Sequence, residues 1–304
     1  MFDNGETRGI YGGGEDRLHF VDAKGLLSAH NGMNIYRGCT HGCIYCDSWS
    51  CCYNFTHEFE DIEVKRNAPQ LLEQALRTKR RPCMIGTGAM CDPYMHCEEE
   101  LGLTRRCIEL IERYGFGLSI QTKSDRILRD IDLLDRINRK TKCVVQITMT
   151  TCDEELCRIV EPNVSTTARR FEVLQAMHER GIPTIVWMTP ILPWINDTRE
   201  NVEGILDYCV RAHVYGIITF GMGMTLRDGD REYYYAALDR HFPGLSTRYR
   251  QTYGNAYELP SPHHETLMPI VYETCRRHGI RSDTGGLFAW MHEFPEKFEQ
   301  LSWG

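Results

Sequence analysis

The chain has 304 residues, 42% hydrophobic and 25% charged, with a net charge of −7. That is enough for one large α/β domain or a domain with an appendage, in the composition range of water-soluble globular proteins. The acidic balance counts against tight nonspecific nucleic-acid binding.

In chain order, the polar start "MFDNGETRGIYGGGEDRL" lacks the basic end and apolar stretch of a signal peptide. The triplet Gly12 to Gly14 has no strand before it and no helix after it, so it reads as a flexible lead-in within an N-terminal extension over 1–30. The run "MNIY" predicts a first strand, followed at once by a loop rich in cysteine. "APQLLEQALRTK" predicts a helix and "CMIGTG" a strand. "ELGLTRRCIELIERYG" puts Leu103, Cys107, Leu110, Ile111 and Tyr114 on one helical face, with Gly115 to end it. Then come strand "FGLSIQT", helix "DRILRDIDLLDRINRK", strand "CVVQITMTT", helix "TTARRFEVLQAMHERG", strand "IPTIVWMTP", helix "DTRENVEGILDYCVRAH" and strand "VYGIITFGM". The most apolar segment, Ile182 to Ile195, is too short to cross a bilayer and contains three prolines. A cytoplasmic protein with no membrane partner is therefore expected.

Six β-then-α units in succession predict a parallel sheet, open or curled into a partial (β/α)6 barrel over 31–226, with functional loops at the carboxyl ends of the strands. The stretch 227–304 is rich in Tyr, Arg and His and is expected to form a helical and loop cover. Within it, "RYRQTYGNAY" interleaves cations with aromatics that could stack on bases, although tyrosines packed on the barrel mouth explain it more simply. The group His263, His264, Glu265 and His241 invites a metal reading, but adjacent histidines point to different sides of a helix, and Ser261 looks like a helix cap. The basic clusters at Arg77, Arg136 and Arg276 read as solvated helix ends.

Fourteen cysteines in such a chain point to reduced thiols and to metal or redox chemistry, not to a disulfide framework. Cys39, Cys43 and Cys46 have the spacing C-x3-C-x2-C. One loop can then offer three thiolates to three irons of a [4Fe–4S] cluster, leaving the fourth iron open to an exogenous ligand. Two plainer readings stand beside this one. A structural zinc site could use Cys43, Cys46 and Cys51 or Cys52, making the chain a non-catalytic interaction module. A thiol–disulfide switch could join Cys43 to Cys46. Cys107, Cys143, Cys157, Cys209 and Cys275 fall on helix or strand patterns and read as inert core thiols.

The three-cysteine loop, with Tyr45 before its last cysteine, resembles the signature of the radical S-adenosylmethionine (SAM) superfamily. The blocks "MNIYRGCTHGCIYCD", "GTGAMCDPY", "EEELGLTRRCIELI", "TKSDRILRDIDLL", "ITMTTCDEELCRIVEPN" and "PILPWIND" are similar, in order and from Lys24 to Leu226, to radical SAM proteins related to spore photoproduct lyase. The resemblance implies a cluster on Cys39, Cys43 and Cys46, with SAM chelating the open iron. Reductive cleavage then gives a 5′-deoxyadenosyl radical that takes a hydrogen atom from substrate, with an electron donor such as flavodoxin or ferredoxin as partner. It also implies that Tyr45 lies against the adenine, that Cys91 and Asp92 sit beside SAM, and that Lys123 faces the SAM carboxylate. Thr148 would bond the ribose or carboxylate, and Pro190 and Leu192 would pack on adenine. The family-level substrate is a DNA or nucleotide lesion, with a peptide or small metabolite as the alternative. One departure stands out. Where the lyase carries its hydrogen-donating cysteine this chain has Ala89, so Cys91, two positions on, is the candidate donor, with Tyr94 behind it.

Overall fold

A computed structural model of the chain describes residues 9–11 and 14–295, with side chains from residue 17. Gly12 and Gly13 lie outside the described residues, as do 296–304, whereas Gly14 opens a strand, Gly14–Val21.

The six predicted units are present. The strands are β1 (Gly32–Met33), β2 (Met84–Thr87), β3 (Gly117–Thr122), β4 (Cys143–Thr148), β5 (Thr184–Trp187) and β6 (Gly216–Ile218). They form one sheet in chain order, and every neighbouring pair is parallel. Parallel neighbours need long crossovers, here containing helices α1 (Ala68–Thr78), α2 (Leu103–Tyr114), α3 (Ile131–Lys140), α4 (Thr167–Glu179) and α5 (Arg199–Arg211). The result is a partial barrel of the TIM type.

Strand alternation separates the two faces. Ile85, Leu118, Ile120, Val145, Ile147, Val186 and Ile217 join the core that includes the helices' buried residues. Met84, Val144, Ile185 and Ile218 belong to a second cluster with Leu287 and Met291 of the helix Thr284–His292. That last helix therefore packs on the inner face of the sheet. A bridge between Gly216 and Arg281 leads the chain there along the β6 edge.

Two departures from the periodicity have physical causes. The predicted first strand is split. Met33 stays in the barrel, but Tyr36–Arg37 pairs antiparallel with Asp61–Lys65 in a second sheet, which also receives Gly14–Val21 in parallel. Edge strands offer unpaired backbone groups, and nothing local says which sheet will take them. The helix predicted from Glu100 begins at Leu103, because Gly102 adopts a left-handed conformation that breaks the run.

The cover has two parts. Asp230–His241 and Leu245–Tyr253 share an apolar cluster with the cysteine loop, while His264–His278 packs along α5. No helix among the described residues is long and apolar enough to cross a membrane.

The approach of β2 to β3 generates a stability test. Gly88 has φ +99°, and a Cβ there would lie 2.0 Å from the Gln121 carbonyl oxygen, whereas one at Gly86 would meet nothing within 4 Å. Gly88→Ala is expected to cost more than about 2 kcal/mol and Gly86→Ala less than about 1, measured as urea unfolding midpoints at constant m. Equal midpoints for the two variants would refute this account.

Candidate metal centre and cofactor site

The cysteine loop leaves the edge of the small sheet at Gly38. Its φ of +96° and the Phe59 carbonyl, 2.5 Å from where a Cβ would be, admit only glycine without a shift. The loop then lies on the segment that follows the helix Glu154–Val160. Ile44 N–H donates to the Val160 carbonyl at 3.0 Å, and Asn163 donates from its backbone to His41 O at 3.1 Å and from its amide to Thr40 O at 2.9 Å. Cys39 N–H donates to Phe59 O at 3.0 Å on the other flank. Three cysteines are thus presented from a loop braced on both sides, just past the end of β1.

Burial raises these three thiols as it raises the core thiols Cys107, Cys143 and Cys209, and what sets them apart is their proximity to one another and to the Lys123 ammonium. Burial raises Cys39 well above the ordinary thiol range, and the neighbouring Cys46 and Cys43 raise it further. Burial pushes Cys43 up to about 12 and also raises Cys46, with the Lys123 ammonium opposing in both cases. Buried thiolates at mutual repulsion form readily only on a bound metal. A single tetrahedral zinc would draw its sulfurs to about 3.8 Å from one another. In a cluster each of the three thiolates would instead bind a different iron, which the loop spacing of Cys39, Cys43 and Cys46 allows.

Beneath the loop lies a charged pair without solvent exposure. Arg170 on α4 and Glu161 are ion-paired with both side chains fully buried. The Tyr45 hydroxyl donates to Glu161, and Arg170 donates to the carbonyls of Thr148 and Ser165, each at 2.7 Å. Burial opposes ionisation of Glu161, but Arg170, Lys123 and the hydrogen bonds outweigh it, so its carboxyl stays below the ordinary glutamate value. Neither residue stood out in the sequence. The available signal was helical phase: Arg170 falls between Thr167 and Leu174 on the buried face of α4, where a guanidinium demands a carboxylate.

The residues expected around a cofactor are distributed unequally. Lys123 follows β3, half-buried. Its ammonium makes no hydrogen bond or ion pair among the described residues and sits 5.9 Å from the Tyr45 ring centroid. Burial disfavours its charge, but Cys43, Glu161, Cys46 and Asp92 more than compensate and raise its pKa. Tyr45 and Leu192 are buried in one apolar cluster with Cys43. Thr148 ends β4 and accepts a 3.5 Å hydrogen bond from Gln121. Pro190 lies in the loop after β5, half-buried. Asp92 is occupied: it accepts from Tyr94 N–H, the Thr122 hydroxyl and Lys123 N–H at 2.7 to 2.8 Å, clamping the loop after β2 to the end of β3. His41 Nδ1 lies 3.6 Å from the same carboxylate, and burial lowers that imidazole to about 4 despite Asp92.

Cys91 and Tyr94 face inward. The Cys91 thiol donates to Tyr36 O at 2.9 Å, and burial pushes it up to about 12. The Tyr94 hydroxyl donates at 3.0 Å to Asp130, inside a network with Arg105, Arg129 and Glu98. Ala89 is exposed while Cys91 is buried. The segment is a turn opened by Gly88, so strand alternation does not operate there.

In the cover, Arg248 lies over Trp194 at 4.2 Å and Arg250 over Tyr235 at 4.3 Å, so this cation–aromatic pattern is spent internally. His263 approaches Asp197, and His264 Nδ1 accepts from Met222 N–H. The Ser261 hydroxyl accepts from His263 N–H at 2.9 Å, but the cap position expected of Ser261 falls to His263, because the helix opens at His264. A cleft of about 460 Å³ lined by Val210, Tyr215 and Arg281 lies at the amino end of β6, away from the cysteine loop.

Comparison with known proteins adds the following. The family description "Radical SAM superfamily" matches residues 33–209. The chain is 29% identical over 264 residues to an uncharacterized protein of Mycobacterium tuberculosis, covering 83% of this chain and 75% of that one. It is 30% identical over 167 residues to an uncharacterized protein of Methanocaldococcus jannaschii, covering 54% and 61%. In fold it is similar to spore photoproduct lyase complexed with dinucleoside spore photoproduct, at TM-score 0.61 and 14% identity over 91% of this chain and 86% of that one. A variant of the same lyase with bound AdoMet and dinucleoside spore photoproduct gives TM-score 0.57 at 13% identity, over 83% and 74%.

The buried pair yields a prediction. Glu161→Gln leaves the Arg170 guanidinium without its counter-charge and is expected to cost about 3–5 kcal/mol at pH 7. A depressed carboxyl pKa contributes stability that is complete above the unfolded value and is lost as pH falls through the folded one. The gap between wild type and variant should therefore narrow below about pH 4, read by urea titrations at several pH values. A pH-independent gap would count against the pairing. Glu161→Gln combined with Arg170→Met should cost less than the sum of the single changes.

Proposed function

Because the chain belongs to the radical SAM superfamily, we propose that Cys39, Cys43 and Cys46 hold a [4Fe–4S] cluster and that SAM binds against it, between Lys123 and the wall made by Tyr45 and Leu192. The observation that carries this is the convergence of three thiols, one buried and two half-buried, with an ammonium that makes no hydrogen bond or ion pair among the described residues, at the carboxyl ends of β1 and β3. The chain is a radical SAM enzyme, and the bound pair supplies a 5′-deoxyadenosyl radical able to take a hydrogen atom from substrate. The protein's share is positional. Lys123 offers the SAM carboxylate a charge-assisted bond, Tyr45 is held by Glu161, and Thr148 and Pro190 border the nucleoside. Cys43 is buried in the apolar cluster that the cover helices share, with Cys46 partly buried against it. A small electron-transfer protein such as flavodoxin or ferredoxin delivers the electron.

The proposed substrate is a DNA or nucleotide lesion. Support comes from the inner face of the barrel, where Ser119, Gln146 and Trp187 form a hydrogen-bonded row at 2.8 to 2.9 Å. Phe220, 66% exposed past the end of β6, stands 6.1 Å from Trp187. A polar row beside a projecting aromatic suits a base that must be stacked. The dinucleoside ligand of the similarly folded lyase has the same chemistry. A peptide or small metabolite is the second reading, favoured by the helix Thr284–His292, which occupies part of the inner face. For hydrogen return, Cys91 is the proposed donor and Tyr94 the alternative.

Anaerobic reconstitution with iron, sulfide, a strong reductant and SAM should yield 5′-deoxyadenosine from wild type and none from Cys43→Ala. Lys123→Met should keep the cluster's iron and absorbance yet weaken SAM binding by about 10–100-fold, the loss of a charge-assisted bond. Colourless wild-type protein that leaves SAM intact would overturn the reading.

A dinucleoside photoproduct or damaged oligonucleotide should accelerate SAM turnover, and Phe220→Ala should abolish that acceleration while leaving substrate-free cleavage intact. Binding that is insensitive to salt and to Phe220 would favour the small-molecule reading. Cys91→Ser should change the ratio of SAM consumed to product formed; an unchanged ratio would remove Cys91 as donor.

A further inference from the structure

A second cluster of ligating side chains sits on the outer sheet, away from the cysteine loop. His19 and Glu63 are register partners on the parallel strands Gly14–Val21 and Asp61–Lys65, so their side chains share one face. The segment 53–59 folds over that face and brings His57 onto His19, ring centroids 4.8 Å apart at 77°. One ligand atom from each of His19, His57 and Glu63 lies within 4.8 Å of the others.

The hydrogen bonds around the trio fix which nitrogens are available. His57 Nδ1 is 2.9 Å from the Glu58 carbonyl, which can only accept, so Nδ1 carries the proton and Nε2 keeps a lone pair. That Nε2 is buried and has no hydrogen-bond partner among the described residues. His19 Nδ1 is 2.9 Å from the Asp61 carboxylate, which leaves its Nε2 as the free nitrogen. The Glu63 carboxylate makes no hydrogen bond or ion pair among the described residues. Its cross-strand neighbour Arg37 is turned away, donating to the carbonyls of Tyr53 and Asn54 and lying over Phe55 at 4.8 Å. Two imidazoles oriented through their far nitrogens by a carboxylate and a carbonyl, beside a carboxylate that feels the Lys65 charge but makes no hydrogen bond among the described residues, form a ligand set complete to its outer partners.

We propose that His19, His57 and Glu63 bind a divalent zinc-type ion, independently of the cluster. Two nitrogens and one oxygen suit zinc, with water in the fourth position. Bonds near 2.1 Å set tetrahedral ligand atoms about 3.4 Å apart, so the trio closes by roughly an ångström of side-chain rotation. The ion pins the segment 53–59 to the small sheet. Phe59, at the end of that segment, accepts from Cys39 N–H at 3.0 Å and packs on Trp49 at 4.8 Å. The site therefore holds one flank of the cysteine loop.

The test separates this site from the cysteines. In the full chain carrying Cys39→Ala, Cys43→Ala and Cys46→Ala, zinc should bind at one equivalent, and cobalt should give the visible absorption of a four- or five-coordinate ion. Adding His57→Ala or Glu63→Gln should abolish both signals. Asp61→Asn should weaken binding by about 10–100-fold, as expected for an outer partner. His292→Ala should change nothing, and neither should Cys51→Ser with Cys52→Ser. A second measurement guards against misfolding of the triple variant: the reconstituted holoenzyme should contain zinc beyond its iron, lost in His57→Ala with iron and sulfide unchanged. Absence of zinc binding in both forms, or zinc that survives His57→Ala together with His19→Ala, would overturn the proposal.

Discussion

A guanidinium and a carboxylate without solvent exposure lie between the cysteine loop and the end of β4, and most of the site rests on them. Arg170 alone spans three elements: its own helix α4, the Thr148 carbonyl at the end of β4 and the Ser165 carbonyl in the loop before α4. Glu161 extends the connection to Tyr45, one residue from the last cysteine. Two buried charges are expensive individually and tolerable only as a fully hydrogen-bonded pair. That requirement gives the arrangement its specificity: if the cysteine loop shifts, Glu161 loses a donor and Arg170 its partner.

The barrel supplies the rest by geometry. Parallel strands in chain order place every strand-to-helix loop at one end, which brings Cys39, Asp92, Lys123, Thr148 and Pro190 to one rim although they are spread over 152 positions of sequence, from 39 to 190. Asp92 shows how the rim is kept in register. Its carboxylate is used up on backbone and hydroxyl donors of the neighbouring strand's loop, which holds Lys123 in place. The aspartate orients the lysine, whose ammonium makes no hydrogen bond or ion pair among the described residues.

The cover follows the same economy of contact. Tyr234, Tyr235 and Tyr249 are buried in the cluster that contains Cys43 and Tyr45, and Trp49 stacks on Tyr233 at 4.2 Å. Aromatic rings bring large apolar area with few rotatable bonds, well suited to covering the cysteine loop. The arginines between them lie on these and nearby rings, which is why a segment that looks like a nucleic-acid surface in the sequence is here an internal seal.

By itself the sequence determined the period of the units and the three-cysteine signature by which the family is recognised. Alternation at two and recurrence at 3.6 residues are local properties, and a C-x3-C-x2-C loop needs no distant partner to be recognised. The tertiary structure alone decided what depends on long-range pairing. It set the split of the first strand between two sheets, the inner-face position of Thr284–His292, and the inward direction of Cys91 in a turn that resembles a strand. It also brought His19, His57 and Glu63 together across 45 positions of sequence, from 19 to 63. The physical reason is common to all four. Which backbone edge is filled and which buried charge is matched are settled by groups far away in the chain, whose proximity is a product of packing and leaves no periodic trace in the residues themselves.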